Sequence, residues 1–310
     1  MEEKIEIMNL LQSKQVLEHE LQTLAYGSVE IRENESNKYI YVHYREDGVA
    51  LTKYVGEYSD ELYNLVLNNS IKAKQLKKQI REIIKKLKQL NYTEEELSKK
   101  VEQNIDFAKR HLVDTIYKQA ILEGVATTFA DTESIIEGGK VNNMTSEDIL
   151  KIVNLKHAWE FILNKNVILS DTNFALLCEI NKMVEEGFYY TAGKVRNTPV
   201  TIGGTTWKPD LPIESVIKEE LEKIFNKEQD DIDRAIELLL YTMKKQIFID
   251  GNKRTAVIYS NHYLISKGKG IIAIPAELTE EFKNLLIPYY EGKDEKKIKK
   301  FIKEKCYMNI

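Results

Sequence analysis

Proline is absent from the first 198 residues, and this distribution constrains the fold more than any other feature of the sequence. The five prolines are Pro199, Pro209, Pro212, Pro275 and Pro288. Because a proline inside a helix removes a hydrogen bond and clashes with the preceding turn, the long proline-free part is free to form extended helices. Apolar residues recur at helical spacing through most of the chain, so we predict a mainly α protein.

One proline-free region lacks the helical pattern. Over residues 27–56, β-branched and aromatic residues alternate with polar ones, and Asp47-Gly48 is a typical hairpin turn between two such runs. We therefore predict a small three-stranded sheet. Residues 2–23 have a helix-forming composition, so residues 1–60 are expected to form a small α+β N-terminal domain.

The central strand of this sheet has an aromatic and basic face. Tyr39, Tyr41, His43 and Arg45 alternate with apolar positions and so share that face. Such a face resembles the base-stacking surfaces of sheet proteins that bind single-stranded nucleic acid. Tyrosines on a small sheet more often pack under a neighbouring helix, so nucleic-acid binding is the less favoured of the two interpretations.

A coiled-coil-like pattern follows the sheet. Its apolar residues are spaced alternately by four and three, among many lysines: Leu76, Ile80, Ile83, Leu87 and Leu90. Thr93 and Glu96 have the spacing of a capping box that would start a second helix. Residues 61–109 are therefore predicted to form an antiparallel helical hairpin, which would serve as an arm or as a packing element.

The composition excludes several classes of protein. A chain of 310 residues, 43% hydrophobic and 30% charged, suggests roughly two domains, and no apolar run approaches the roughly 18 residues of a membrane span. The first residues lack the basic region of a secretory signal, so a cytoplasmic location without a membrane partner is expected. Cys178 and Cys306 have neither disulfide nor metal-ligand spacing and are expected to be buried or inert thiols. With a net charge of −4, any contact with nucleic acid would have to be local.

The remainder of the chain, residues 110–310, has recurrent helical periods and one interruption. This insert, residues 190–212, contains strand formers near Val200 and Ile202 and two turn glycines, and prolines close it. We predict a β-hairpin carried on a helical body.

The segment QIFIDGNKRTA, which begins at Gln246, is the most informative for function. Apolar helical sequence precedes it and follows it, so Asp250-Gly251-Asn252 is expected to turn the chain where a new helix begins. Unpaired amides at a helix start, a glycine that permits close approach, and the cations Lys253 and Arg254 together favour an anion such as a polyphosphate. On spacing alone, such a segment is more often a capped helix start on a solvated surface.

This segment resembles the signature HxFx(D/E)(G/A)N(G/K)R of the Fic/Doc family at every position except the first, where the family has histidine and this chain has Gln246. The insert GKVRNTPVTIGGTTWKPDLP, with its Gly193-x-x-Arg196 start, is similar to the substrate-positioning flap of that family. The two resemblances lie in the family's order within residues 110–305. They imply an all-α Fic-type domain over residues 110–310, with a flap at 190–212.

The resemblance also implies a function and a set of site residues. Fic proteins bind Mg²⁺-ATP and usually transfer AMP to a hydroxyl of a target protein. Phe248 would pack the motif loop into the core and Asp250 would bind the metal. Gly251, Asn252 and Lys253 would line the phosphate site, and Arg254 would neutralise phosphate charge. The flap residues expected to hold the target segment by strand addition are Thr201, Ile202, Gly203, Gly204 and Thr205.

Three departures from the family pattern modify these expectations. The amide of Gln246 has no titratable group, so it cannot replace the family's catalytic histidine as a general base. Transfer should then be weakened or redirected, and a catalytically inactive nucleotide-binding regulator is the main alternative. Lys253 resembles the residue of the Doc branch, which implies a kinase as the second alternative.

The third departure concerns regulation. Ser134-Ile-Ile-Glu137-Gly138 resembles the family's inhibitory helix, but the second motif arginine that such a glutamate pairs with is replaced by Val257. Glu137 would therefore have to pair with Lys253 or Arg254, or else be an ordinary helix-end carboxylate. The expected partner is an unidentified target protein, and the sequence is compatible with an oligomer.

Overall fold

The computed structural model describes residues 2–34, 37–46, 49–90, 92, 97–142 and 144–310. The chain divides into two compact units, Met1–Glu95 and Glu96–Ile310. Helices dominate, which confirms the prediction of a mainly α protein. The hairpin turn at Asp47-Gly48 and the capping box of Thr93 and Glu96 lie outside the described residues.

The first unit contains a three-stranded sheet and two helices. Its elements are, in order, α1 (Glu2–Thr23), β1 (Ser28–Asn34), β2 (Asn37–Glu46), β3 (Val49–Glu57) and α2 (Asp60–Gln89). The strands are antiparallel in the order β1-β2-β3, which confirms the predicted sheet. Ile40 and Val42 of β2 are fully buried with Val66 of α2, so the aliphatic face of the sheet packs under the helix. The tyrosine face is the opposite one, contrary to the favoured interpretation.

The predicted hairpin over residues 61–109 differs from the observed packing. The apolar residues of α2 do form a buried seam, but α2 packs against α1 of the first unit. The helix after it, α3 (Lys99–Arg110), packs in the second unit instead, where its Ile105 and Ala108 join the main core. Sequence spacing identified the seam and could not identify its partner, because α1 has only a weak apolar periodicity.

The second unit is a helical body around one central helix. Its remaining helices before the turn segment are α4 (Leu112–Leu122), α5 (Phe129–Ile136), α6 (Ser146–Ile162), α7 (Lys165–Ile168), α8 (Phe174–Val184), α9 (Glu214–Asn226) and α10 (Asp231–Lys245). After the turn come α11 (Asn252–Ser266), β4 (Ile271–Ile272), α12 (Thr279–Tyr290), α13 (Glu295–Phe301) and β5 (Tyr307–Met308), with β4 and β5 paired antiparallel.

Helix α11 is buried on almost every side, by α3, α6, α8 and α10 among others. Several polar side chains in its middle part are satisfied internally. Asn261, for example, donates to the carbonyls of Val257 and Ile272 and accepts from the Ile272 amide. His262 is held between the Thr172 hydroxyl and the Val167 carbonyl, and burial lowers its pKa to about 4. The start of α11 is therefore fixed in position by the core.

The insert at 190–212 contains no strand, so the prediction of a β-hairpin was wrong. Three prolines remove amide donors from its two sides, and no backbone hydrogen bond links residues 197–212 to one another. Side chains hold the segment instead. Thr205 donates to a carboxylate oxygen of Glu291, and the Trp207 ring stacks on Tyr290 of α12 with centroids 5.6 Å apart. We refer to residues 190–212 as the flap.

Two further expectations concern the whole chain. None of the described helices combines the length and the apolar character needed to cross a bilayer. Cys178 and Cys306 are free thiols, and burial raises the pKa of each to about 12, which agrees with the prediction of inert thiols.

Candidate functional site

The turn between α10 and α11 is a tight loop with a left-handed residue at each end. Gln246 directly follows α10 with a φ of 48°, and Gly251 precedes α11 with a φ of 72°. The glycine is needed for space as well as for conformation, because a Cβ at position 251 would collide with the carboxylate of Glu185. The sequence DGN thus turns the chain where the motif predicted a turn.

Asn252 ties the loop together from inside. Its side-chain oxygen accepts from the Phe248 amide at 3.0 Å, and its Nδ2 donates to the Phe248 carbonyl at 2.8 Å and to Oε1 of Gln246 at 3.2 Å. Phe248 itself is buried in the core, as the family resemblance implied. Because the Asn252 side chain forms hydrogen bonds within the loop, an anion at this site would accept a hydrogen bond from the Asn252 backbone amide.

The first turn of α11 presents unpaired amides. No side chain caps this helix, in contrast to α10, whose first turn is capped by Asp230. Among the described residues, no hydrogen bond reaches the amides of Asn252, Lys253 and Arg254. Three free donors at the positive end of a helix dipole make a site for an anion.

Asp250 lies at the mouth of this site. Its side chain is about half exposed, and Oδ1 accepts from the Gly251 amide at 2.6 Å. The second oxygen is free for a ligand. Within the described part of the chain, no group of three or more metal-ligating side chains is arranged to hold an ion. A magnesium ion at Asp250 would therefore take its other ligands from water and phosphate oxygens, as is usual for this ion.

Arg254 is the buried cation of the site. Only 3% of it is exposed, and Nη2 lies 2.8 Å from Oε1 of Glu185 and 3.7 Å from Oδ1 of Asp250. Its Nε and Nη1 have no hydrogen-bond partner. The contact with Glu185 is an ion pair without hydrogen-bond geometry, since both Glu185 oxygens are also unpaired. Two buried nitrogens thus remain available as donors.

A second carboxylate serves both cations. Glu123, just after α4, lies 3.8 Å from Nε of Arg254 and 3.6 Å from Nζ of Lys253. The cations predicted to bind phosphate are therefore balanced by Glu123 and Glu185, neither of which belongs to the motif. A bound polyphosphate would replace or share these counterions.

Burial perturbs the proton affinity of Glu185. The residue is 1% exposed, and this desolvation raises the pKa of its carboxyl to about 7, although Arg254 acts in the opposite direction. Asp250 and Glu123 raise the pKa further through repulsion. Buried carboxyls with such pKa shifts, beside a cation whose hydrogen-bond donors are unsatisfied, are frequent in functional sites.

Gln246, which the motif resemblance aligns with the family's histidine, is held by hydrogen bonds. Its Nε2 donates to the Met243 carbonyl at 2.6 Å, and its Oε1 accepts from Asn252. The side chain therefore stabilises the loop. It supplies no proton acceptor of useful basicity, which agrees with the expectation from its amide chemistry.

Arg196 connects the flap to the motif loop. Its backbone amide donates to the Ile247 carbonyl, and Nε donates to the Gln246 carbonyl at 2.6 Å. Nη1 and Nη2 donate to the carbonyls of Thr198 and Asp210, which flank the flap residues from Thr201 to Thr205. One buried guanidinium thus ties the base of this stretch, in addition to the contacts of Thr205 and Trp207 with Glu291 and Tyr290.

The predicted regulatory residue is not part of this arrangement. Glu137 ends α5, is exposed, and forms no ion pair with any described residue. Glu123 and Glu185 pair with Lys253 and Arg254 instead. The regulatory role of Glu137 remains a prediction.

Sequence reasoning missed the residues that lie far from the motif along the chain. Glu123, Asn181 and Glu185 are examples; Asn181 donates to the Asp250 carbonyl and to Thr255, and accepts from the Gly193 amide. A weak signal existed for Glu185. This glutamate directly follows α8 and lies shortly before the Gly193-x-x-Arg196 start of the flap, so it is close to the flap in sequence. Its contact with Gly251 could not be read from the sequence.

The fold and this loop define a helical protein with an uncapped helix start and a flap. Residues 171–264 match the model of the Fic/DOC family. This segment contains α8, the flap, the motif loop and most of α11, so the match confirms the Fic/Doc resemblance of the sequence over these residues. A comparison with curated proteins gives no match.

Similar solved structures are Fic proteins. Fic-1 from C. elegans matches with a TM-score of 0.53 and 17% identity over 79% of this chain and 73% of that chain. A Fic-domain-containing signaling protein from Bacteroides thetaiotaomicron gives 0.51 and 18% over 61% and 75%. A Fic family protein from Desulfovibrio desulfuricans gives 0.52 and 12% over 68% and 73%. At these identities the likeness establishes the fold.

Proposed function

We propose that this protein binds Mg²⁺-ATP at the start of α11 and transfers AMP, or another phosphate-containing group, to a hydroxyl of a target protein. The observation that carries the proposal is the uncapped helix start, where the free amides of Asn252, Lys253 and Arg254 lie beside a buried guanidinium with two unpaired nitrogens. A polyphosphate supplies the oxygen acceptors that these donors lack.

Each residue of the loop has a defined task in this proposal. The amides and Arg254 bind the phosphate chain and stabilise the charge that develops on it during transfer. Lys253 contributes a second, more exposed charge. Asp250 holds magnesium, which when bound would neutralise charge between phosphate oxygens. The flap aligns the target segment, whose backbone would pair with the free amides and carbonyls between Thr198 and Asp210.

The locked amide of Gln246 predicts slow chemistry. Loss of a general base lowers rates by about 10²–10⁴-fold in typical enzymes, and the hydrogen bonds of Gln246 to Met243 and Asn252 leave it no catalytic freedom. A catalytically inactive, nucleotide-binding regulator is thus the main alternative function. Lys253 is the observation that supports the second alternative, phosphotransfer of the Doc type, because it adds a charge at the phosphate site.

Labelled ATP distinguishes these functions. The protein is incubated with a cell lysate, magnesium, and ATP carrying the label at either the α or the γ phosphate. We expect weak protein labelling from the α position. Labelling from γ alone would instead identify a kinase. Absence of label from both, together with ATP binding in calorimetry, would identify the regulator.

The variant Q246H is the matched test of the base position. If only the base is missing, histidine should raise α labelling by about 10²-fold or more. The double variant Q246H/R254Q serves as its control, since it restores the base without the phosphate-binding cation and should remain inactive. Lack of ATP binding by the native chain at millimolar nucleotide would contradict the proposal as a whole.

A further inference from the structure

The exposed side of α2 carries a row of five cations. The residues are Lys74, Lys78, Arg81, Lys85 and Lys88, spaced by four, three, four and three residues. At 3.6 residues per turn and 1.5 Å per residue, this spacing aligns them on one face over about 21 Å. We call these five residues the basic stripe.

The basic stripe lies in a segment with a high density of positive charge and few acidic side chains to balance it. Residues 71–89 contain eight basic side chains and one acidic one, whereas the whole chain has a net charge of −4. All five residues of the stripe are exposed. None of them forms an ion pair with a described carboxylate, in contrast to Lys72 nearby, which pairs with Glu20 of α1.

This arrangement is unfavourable for an isolated helix. Like charges at i,i+3 and i,i+4 repel, and the stripe contains four such neighbouring pairs in sequence. Elsewhere in the described chain, helical lysines are often paired with glutamates four residues away, as Lys218 is with Glu214 and Lys223 with Glu219. A row without such partners is therefore best explained by an external polyanion.

The apolar side of α2 is not available to a membrane. Ala73, Leu76, Ile80 and Leu87 are buried, and this side packs against α1. An interfacial helix needs an exposed apolar face to enter a bilayer, and this helix uses its apolar face inside the unit. Between residues 74 and 88 no large apolar side chain is exposed beside the stripe; Leu67 and Ile71 are exposed in the turns that precede it.

The tyrosine face of the sheet is less suited to an anion. Arg32 lies over the Tyr41 ring at 4.4 Å and donates to Glu30 at 3.0 Å, and His43 contacts the same carboxylate at 2.6 Å. Arg32 and His43 on that face are thus already paired with Glu30. Among the described residues of the first unit, basic side chains without an ion pair are concentrated on α2.

We propose that the basic stripe of α2 binds the phosphodiester backbone of nucleic acid. One strand carries a charge about every 3.4 Å along a duplex, so a row of about 21 Å runs beside roughly six phosphates of one strand. Contacts of this kind bind the backbone without reading sequence. The inference concerns the first unit and does not depend on nucleotide binding at α11.

Fluorescence anisotropy with a labelled 20-nucleotide oligonucleotide, as a single strand and as a duplex, tests the proposal on the full chain. If the five cations contact phosphates, the logarithm of the binding constant should fall against the logarithm of the salt concentration with a slope of about −3.5 for the single strand and about −4.5 for the duplex. Between 50 and 200 mM salt this corresponds to a loss of about 100-fold to 500-fold.

Two variants with equal charge changes locate the site. The stripe variant K74Q/K78Q/R81Q/K85Q/K88Q should bind about 100-fold more weakly at 50 mM salt. Its control replaces five exposed lysines of the second unit by glutamine: Lys293, Lys296, Lys297, Lys300 and Lys305. The control should retain most of the binding. Circular dichroism checks that both variants keep their helices, which glutamine supports well.

Several outcomes would overturn the inference. These are no binding of either oligonucleotide by the native chain at 50 mM salt, a slope near zero, or equal losses in the two variants. Displacement of the oligonucleotide by polyglutamate at equal charge concentration would show that any acidic polymer is accepted. Tighter binding to phosphatidylserine vesicles than to the oligonucleotides would identify a membrane surface instead.

Discussion

Two buried arginines of the second unit differ in how their donors are used. Arg196 is 5% exposed, and each of its side-chain nitrogens donates to a backbone carbonyl. Arg254 is 3% exposed. Its Nε and Nη1 have no hydrogen-bond partner, while Nη2 forms an ion pair with Glu185. The two arginines are about equally buried, so they differ in their hydrogen bonds and not in their exposure to solvent.

Satisfied donors indicate a structural role, and unsatisfied ones indicate a place for a ligand. A buried polar group without a partner costs free energy that the fold must supply elsewhere. Arg196 closes the base of the flap and needs nothing more. Arg254 is held at the start of α11 by Glu185 and Glu123, with donors left over, as expected of a group whose full set of partners includes a bound anion.

The largest expected effect is on stability at Arg196. The variant R196A should lower the free energy of unfolding by about 3 kcal/mol or more, because three carbonyls lose a charged donor in a buried place. Urea denaturation measures this change. R196K should recover only a part, since a lysine cannot reach three separate carbonyls. Stability close to that of the native chain would show that water readily replaces the guanidinium.

At Arg254 the expected effect is on binding. R254Q should weaken ATP binding by about 10-fold to 100-fold, since a charge-assisted hydrogen bond contributes about 1.5–3 kcal/mol. Calorimetry with ATP and magnesium measures the affinity. The free energy of unfolding should change less than in R196A. A variant that loses stability as R196A does, with ATP affinity retained, would reverse the roles of the two arginines.

The pH dependence of stability should reveal Glu185. Its pKa in the folded protein, about 7, lies above the ordinary value of 4.5, so the folded state binds the proton more tightly. The stabilisation is fully present below pH 4.5 and is lost as the pH rises through 7. Between pH 5 and pH 8, the native chain should lose about 2–3 kcal/mol relative to E185Q. Parallel curves for the two proteins, from urea denaturation at each pH, would contradict this.

The smallest expected effect is a gain of affinity on removing a counterion. E185Q should bind ATP about fivefold more tightly at pH 8, because one negative charge near the phosphate site is removed, worth about 1 kcal/mol. E123Q is the matched control and should gain less, since Glu123 lies 3.6 Å or more from both cations and is more exposed. Weaker binding by E185Q would show that the carboxylate mainly orients Arg254.

The contiguous part of the site could be predicted from the sequence. Gly251 and Asn252 shape their turn through local conformation, and Phe248 enters the core directly beside it, so the order of residues is enough. The three-stranded sheet was predictable for the same reason, because alternation and short turns are local signals. Local sequence patterns predicted an element correctly wherever residues that are neighbours in sequence are also neighbours in space.

Long-range partners could not be predicted in this way. The seam of α2 was visible, but α1 covers it rather than the next helix. The strand formers of the flap had no neighbouring strand to pair with, and its prolines and Arg196 determined its path instead. Glu185 meets Gly251 only after α8 and α11 have packed, and a single sequence carries no direct signal of that contact.

Between Thr198 and Asp210, whose carbonyls both accept from Arg196, the flap is a length of main chain without backbone–backbone hydrogen bonds. Apart from the Trp207 amide, which donates to the Thr205 hydroxyl, the amides of this stretch should exchange with deuterated water almost as fast as those of a short peptide. A target segment that adds as a strand would slow them at alternate positions. Mass-spectrometric exchange over these few residues would therefore register a docked peptide even when no group is transferred to it.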